Sequence, residues 1–544
     1  MKLRTTMLIH PITLLTRYGT FAAITIATLV TFVMLMNGWH VRWIFYPLLV
    51  LTAVGVWSLF QTRHSLMRNY PVIALVRWIS EELRPFLHQY IVEDNLDGRP
   101  YSREHRSLIY QRAKDAVDVH PFGTELDVYG DEYEWLTHSI GARHVDPSNF
   151  RVDIGGPQCT RPYSASLLNI SAMSFGALGA HAIEALNTGA KLGGFYHDTG
   201  EGSISPYHLK GGGDLVWELG SGYFGCRDKA GRFDPGSFAE QAVMDQVKMI
   251  EIKISQGAKP GHGGVLPAEK VTEEIAKTRH VPMGEDCVSP PAHSAFSTPI
   301  EMMEFIATLR EKSGGKPVGF KLCIGRPHEF LAICKAMMET EIYADFVVID
   351  GAEGGTGAAP VEFSDHIGLP LREALVFAQN ALVATNLRDK VRLAASGKVS
   401  TAYYMAANMA VGADWCNAAR AFMFSLGCVM SMRCHTGECP TGVTTHDPLR
   451  QRGLVVDDKA RRVRNFHKET LGALAQVVGA AGLEHPRDLT PGHIYRRINA
   501  VEAKPLDELY NFVEPGALLD GRRKLPVLGK YWNRAQANTF AAAG

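Results

Sequence analysis

Two uninterrupted apolar stretches, Thr20 to Met36 and Trp43 to Phe60, stand near the start of the chain, separated by the polar link Asn37 to Arg42. Each is long enough, at about 17 or 18 residues, to cross a bilayer core as a helix. The pairing of the stretches fits badly with a single cleaved signal peptide, and no small-residue cleavage site follows the first. The pattern therefore predicts a transmembrane hairpin over residues 1–65, with a buried helical hairpin as the alternative. Lys2, Arg4 and Arg17 precede it and Arg63 and Arg68 follow, against Arg42 alone in the link. That bias places both ends, and the chain that follows, on the cytoplasmic side of the inner membrane.

Beyond the hairpin the apolar period changes. Val72, Ile73, Val76, Ile79 and Leu83 recur at helical spacing, and residues 66–150 read as a helical connecting region. From Arg151 short β-rich runs alternate with Gly-rich loops and helical patterns, the βα rhythm of a parallel sheet or barrel. Candidate strands are Ser166 to Ile170, Met249 to Ile254, Val318 to Leu322, Phe346 to Ile349, Arg392 to Ala395 and Trp415 to Ala418. The fold class expected is α/β, a (β/α)8 barrel over residues 151–480, with a C-terminal extension over 481–544 that is loop-like beyond Pro505.

Composition narrows the function classes. Lys plus Arg and Asp plus Glu both number 56, so nothing in the charge points to nucleic acid, and small-molecule chemistry is the better expectation. The 52 glycines gather in short runs at strand ends, where backbone turns tightly or approaches a ligand. Nine cysteines in a cytoplasmic chain are expected as ligands or buried thiols rather than disulfides.

Three of them, Cys428, Cys434 and Cys439, fall within twelve residues in GCVMSMRCHTGECPTGV. Soft thiolates at this spacing suit an iron-sulfur cluster or zinc. Three thiols leave zinc short of its structural tetrad unless His435 completes it, which favours a three-iron cluster. Three Gly-rich junctions, DGAEGGTG from Asp350, ASGK from Ala395 and NAAR from Asn417, each follow a β-like run and point to a phosphorylated cofactor. Cations cluster around ISQGAKPGHGG, with Lys253 before it, Lys259 inside it and Arg279 after it, as an anionic substrate or a developing negative charge requires. Lys321, at the end of an apolar run, is expected in the barrel mouth.

Taken in order, SAMSFGAL (171–178), DTGEG (198–202), QGAKPGHGG (256–264), IAKTRH (275–280), SPPAH (289–293), GGTGAAP (354–360), GLP (368–370) and the cysteine segment resemble the FMN-binding synthase domain of glutamate synthase. The resemblance runs over roughly half the chain. It implies FMN and a 3Fe-4S cluster held by Cys428, Cys434 and Cys439. It further implies that Met173, Ser174 and Phe175 lie against the flavin and that Lys321 reaches its ring. Gly355, Thr356, Gly397 and Arg420 fall on the phosphate side, and Glu201, Lys253, Lys259 and Arg279 on 2-oxoglutarate or its imino form. Lys259, Glu201 and Lys321 are the implied catalytic groups.

Two departures bear on the substrate. The family's GEGGQLPG reads GHGGVLPA here, so His262 replaces an acid and Val265 replaces a glutamine that holds the oxo acid. An apolar side chain makes no such hydrogen bond. No amidotransferase domain is expected in the chain, so ammonia is expected from solution or a partner. With no nicotinamide fingerprint, the implied reductant is an electron carrier such as ferredoxin, and a homo-oligomer is compatible with the sequence. The leading expectation is hydride transfer from flavin to an imino acid formed from 2-oxoglutarate and ammonia. The alternatives are an amino-acid or amine dehydrogenase feeding a membrane carrier, and a non-catalytic membrane redox scaffold.

Overall fold

A computed structural model describes residues 11–520 and 525–543; Lys2 and Arg4 lie outside the described residues. Contacts divide the chain into two compact units that meet in sequence at Arg103 and Glu104.

In the first unit the two apolar stretches form helices Pro11–Met36 and Arg42–Phe60. Of these, Arg17–Met36 and Arg42–Phe60 are long and apolar enough to span a bilayer, and few of their residues are buried. Several of their hydroxyls are satisfied within the hairpin. Thr25, Thr28, Thr31 and Ser58 each donate to the carbonyl four residues earlier, and Thr28 and Thr52 meet at 2.8 Å between the helices.

The second unit holds eight parallel strands closed into a barrel in sequence order: β1 (Leu168–Ile170), β2 (His197–Asp198), β3 (Leu215–Leu219), β4 (Val247–Lys253), β5 (Val318–Leu322), β6 (Phe346–Asp350), β7 (Arg392–Ser396) and β8 (Trp415–Ala418). Register sets Lys321 opposite Lys253 and Val348, and Cys416 opposite Leu168 closes the ring. The expected run Ser166 to Ile170 divides at Leu167. Its first part is a hairpin strand, Tyr163–Ser166, antiparallel to Arg151–Ile154, and the rest is β1.

Helix starts are encoded locally. In Pro299–Lys312, Thr298 and Glu301 form a reciprocal capping box with Pro299 in the first turn, satisfying amides that lack helical partners. Within the C-terminal extension, Ile494–Arg497 and Ala503–Pro505 join Glu134–Leu136 in an antiparallel sheet, and beyond Pro505 two short helices, Leu506–Leu509 and Leu528–Arg534, break the loop-like run. Glu134 there takes Arg372 at 3.1 Å and Arg496 at 2.7 Å.

At the N-terminal end of the barrel, Asp345 is fully buried. It accepts from Arg310 at 2.9 Å, from the Gly156 amide at 2.7 Å and from the Val318 amide at 2.7 Å. Asp345→Asn replaces charge-assisted acceptors with a weaker set and is expected to cost about 1.5–3 kcal/mol. Slower hydrogen exchange in the parent than in the variant at strand amides, with unchanged ligand titration, is the expected result.

Candidate active site

The C-terminal ends of the strands gather the cations read from the sequence. Lys253 ends β4, and its Nζ lies 3.0 Å from Glu201 in the turn Gly200–Gly202 after β2. Arg279, the last residue of helix Glu273–Arg279, turns its guanidinium toward the loop after β1. Its Nη2 donates to Phe175 O at 2.8 Å and Ser174 Oγ at 3.4 Å, and it stacks 5.3 Å from the Phe224 ring. Its Nε is buried without a partner. Lys259 is only 6% exposed, and among the described residues its Nζ has no hydrogen-bond or ion-pair partner.

Three cations therefore face one carboxylate. Burial raises the Glu201 pKa, but the charge and hydrogen bond of Lys253, with Arg279 and Lys259 beyond, bring it below the usual range, so Glu201 is ionised. Burial lowers the Lys259 pKa and Lys253 lowers it further, against Glu201. Two positive charges remain uncompensated in a largely water-excluded site, an arrangement stabilised by a bound dianion. His293 braces this edge, with Nε2 at 2.8 Å from Lys253 O and Nδ1 at 3.0 Å from Tyr223 Oη.

Lys321 differs from its expected place. It lies inside the barrel rather than open to the mouth, its Nζ bonded to Glu218 of β3 and 3.3 Å from Glu251 of β4. Asp198 of β2 completes a buried carboxylate cage whose members lie within 4.8 Å of one another. Burial and Glu218 push Asp198 up to about 7 against the pull of Lys321. Burial also carries Glu251 well above its usual range; Lys321 opposes this, and Asp198 and Glu218 add to it. Burial works against the Lys321 charge, but Glu218, Glu251 and Asp198 together raise its pKa well above normal. The cage thus holds a fixed ammonium and at least one proton on its acids near neutrality. Sequence reading missed all three acids. The available signal was a lone acid inside an apolar run, Glu218 in LVWEL and Glu251 in KMIEI.

The loops after β6, β7 and β8 meet one another. The absent side chain of Gly355 makes room for Arg420, whose Nη2 donates to Glu353 O at 2.6 Å. Gly397, at φ +148°, lies beside Gly351 and Glu353, and Gly354 to Thr356 are accessible backbone. Ser400, further along the β7 loop, has a buried hydroxyl without a partner. Met173 and Phe175 are buried and Ser174 is half-buried at the β1 end.

Cys428, Cys434 and Cys439 share one loop. Burial pushes the Cys428 thiol up to about 12, and burial with the nearby Cys439 raises Cys434. Cys439 goes the other way, because hydrogen bonds from Thr441 and Thr444 outweigh its burial. Lys270 reaches into the loop, donating to Cys434 O at 2.8 Å and Thr444 O at 3.3 Å. Met430 and Met432 adopt left-handed φ of 53° and 58°. His435, the alternative fourth zinc ligand, is exposed.

His262 turns toward Phe363, with ring centroids 5.2 Å apart, and Val265 is exposed on a two-residue strand paired with Val288.

A family model described as a conserved region in glutamate synthase matches residues 154–484. The glutamate synthase large subunit-like protein YerD of Bacillus subtilis is 36% identical over 477 residues, 80% of this chain and 90% of that protein. The archaeal glutamate synthase (NADPH) of Methanocaldococcus jannaschii is 35% identical over 354 residues, 65% of each chain. Among solved structures, a flavocytochrome b2 double variant with sulfite bound covers 78% of this chain and 85% of its own at 13% identity and TM-score 0.41, too distant to inform the site.

Proposed function

The chain belongs to the glutamate synthase family, and from that premise we propose that it is a glutamate synthase-type oxidoreductase acting on a dicarboxylic oxo acid, 2-oxoglutarate, with ammonia. The observation that carries this reading is the site's charge: Lys253, Lys259 and Arg279 against Glu201 alone, with Lys259 buried and its Nζ unpartnered. A dianion supplies the charge the site lacks.

The β6, β7 and β8 loops fit the phosphate of FMN, given the Arg420 guanidinium, the accessible glycine backbone and the unpartnered Ser400 hydroxyl. Bound FMN supplies hydride chemistry for the carbon-nitrogen double bond of the imino acid. Cys428, Cys434 and Cys439 fit a three-iron cluster, which supplies one-electron transfer from a carrier such as ferredoxin. Around these groups the chain's own residues bind and orient. Lys259 and Lys253 attract the carboxylates, Arg279 holds the Ser174–Phe175 segment in place, and Glu201 fixes the Lys253 ammonium. Lys321, held by its acids, puts a positive charge beneath the strand ends where negative charge develops.

The helices Arg17–Met36 and Arg42–Phe60 cross the membrane in this reading, with Arg17, Arg63 and Arg68 on the cytoplasmic side. Val265 favours a second reading, an amino-acid or amine dehydrogenase passing electrons to a membrane carrier, because the expected glutamine contact to the oxo acid is missing.

An anaerobic optical and EPR spectrum of the detergent-solubilised chain, with iron, sulfide and released flavin quantified, tests the cofactors. Reoxidation of the reduced protein by 2-oxoglutarate plus ammonia supports the synthase; reduction of the oxidised protein by amino acids or amines instead supports the second reading. Lys259→Ala removes a charge-assisted contact worth about 1.5–3 kcal/mol, so kcat/KM for 2-oxoglutarate is expected to fall by roughly 10- to 100-fold. An undiminished rate would count against the assignment.

A further inference from the structure

The helix Leu75–Leu87 carries an apolar stripe that none of the described residues of its own unit covers. At about 100° per residue, Val76, Ile79, Leu83, Phe86 and Leu87 fall within one third of its circumference. Arg77, Glu81 and Arg84 occupy the opposite side, where Arg77 and Glu81 lie 4.0 Å apart. No residue of the helix is buried; Val76 is 60% exposed, Ile79 57% and Leu83 49%. Exposed Ile73 extends the stripe at one end and Tyr90 to Val92 at the other. A soluble surface rarely leaves so long an apolar face in water.

Its position in the chain says what covers it. Only Gln61 to His64 separate the second spanning helix from the short helix Ser65–Asn69. Val72, just before the stripe, is buried and packs back onto Gly55, where an added Cβ would stand 3.0 Å from its Cγ2. Gly55 lies five residues inside the end of the spanning helix at Phe60, a depth of about 7 Å at 1.5 Å per residue. Interfacial helices bury their apolar face about 5–10 Å into the headgroup and acyl boundary. Arg17, at the start of the first span, bonds Asn69, and the Trp78 ring meets His64 edge-on at 5.5 Å, so the segment is tied to the same end of the hairpin.

We propose that Leu75–Leu87 is an interfacial membrane helix, its Val76, Ile79 and Leu83 face seated among lipid acyl chains and its Arg77 and Arg84 face turned to water. This rests on the reading that the two preceding helices span the bilayer.

The test uses the full chain reconstituted in phosphatidylcholine and phosphatidylglycerol vesicles, with p-benzoylphenylalanine replacing single residues and photo-adducts identified by peptide mass. Val30 and Val50, exposed on the two spans, report on the hairpin. Ile79 and Leu83 report on the stripe, and Arg77 and Glu81 on its polar face. The expected result is lipid adducts at Val30, Val50, Ile79 and Leu83, lost at Arg77 and Glu81. Adducts at Val30 and Val50 alone would overturn the interfacial helix and leave the spans intact. Their absence at Val30 and Val50 would remove the membrane reading itself. Crosslinks from Leu83 to a second copy of the chain would overturn the proposal in favour of a self-association face.

Discussion

Lys321→Met is expected to destabilise the barrel by about 3–5 kcal/mol at alkaline pH, because it leaves Glu218, Glu251 and Asp198 buried without their cation. The loss should shrink in acid. In the native chain Asp198 is pushed up to about 7 by burial and Glu218. An acid whose folded pKa is raised binds more protons folded than unfolded, so its contribution is present below its unfolded value near 4 and is lost as pH rises through about 7. Glu251, carried well above its range, extends that loss to higher pH. Removing Lys321 takes away the charge that opposes the raised pKa values of Asp198 and Glu251, so protons replace the ammonium in acid but not in base. Hydrogen exchange at the amides of β3, β4 and β5, measured on the full chain near pH 5 and near pH 8, reads the difference. An equal loss at both would show that the cage carries no net charge. Adding Glu218→Gln to Lys321→Met should recover part of the stability at the higher pH by removing one uncompensated charge.

Arg279→Lys keeps the charge and loses the shape. The guanidinium spans Phe175 O, Ser174 Oγ, the Cys287 thiol at 3.6 Å and the Phe224 ring, and still has a buried Nε in hand. An ammonium cannot reach these partners from one planar group. The Ser174–Phe175 segment should shift, and a displacement of about 1 Å beside reacting groups costs roughly 10²-fold in rate. The expected signature is a fall in kcat larger than the rise in KM, with weaker flavin retention. A KM effect alone would assign Arg279 to substrate attraction rather than to holding the loop.

Legibility followed the range of the interactions. Six strands were visible because each is an apolar run long enough to stand out, such as Val318 to Leu322 and Phe346 to Ile349. The two that were not are β2, only the pair His197–Asp198, and β3, the run LVWEL, which carries an acid as the recognised β4 also does. The cationic site was largely readable because Lys253, Lys259 and Arg279 fall within 27 residues of one another around a glycine-rich segment. Glu201, 52 residues before Lys253, entered only through the motif resemblance, and the structure then brought the two to 3.0 Å. The tail sheet went unseen because Ile494–Arg497 pairs with Glu134–Leu136, a partner no local pattern names.

The sequence by itself determined the two membrane-length helices, the alternation of strand and helix, and the identities of the thiols and cations, because apolar length, periodicity and close spacing are properties of adjacent residues. Only the tertiary structure decided which charges meet. Closing the barrel brings Asp198, Glu218, Glu251 and Lys321 from four successive strands into one enclosure. There, through-space distance and exclusion of water, neither of which is written in the order of residues, set their protonation. It likewise decided that Val72 packs onto Gly55, and so where the apolar stripe of Leu75–Leu87 begins.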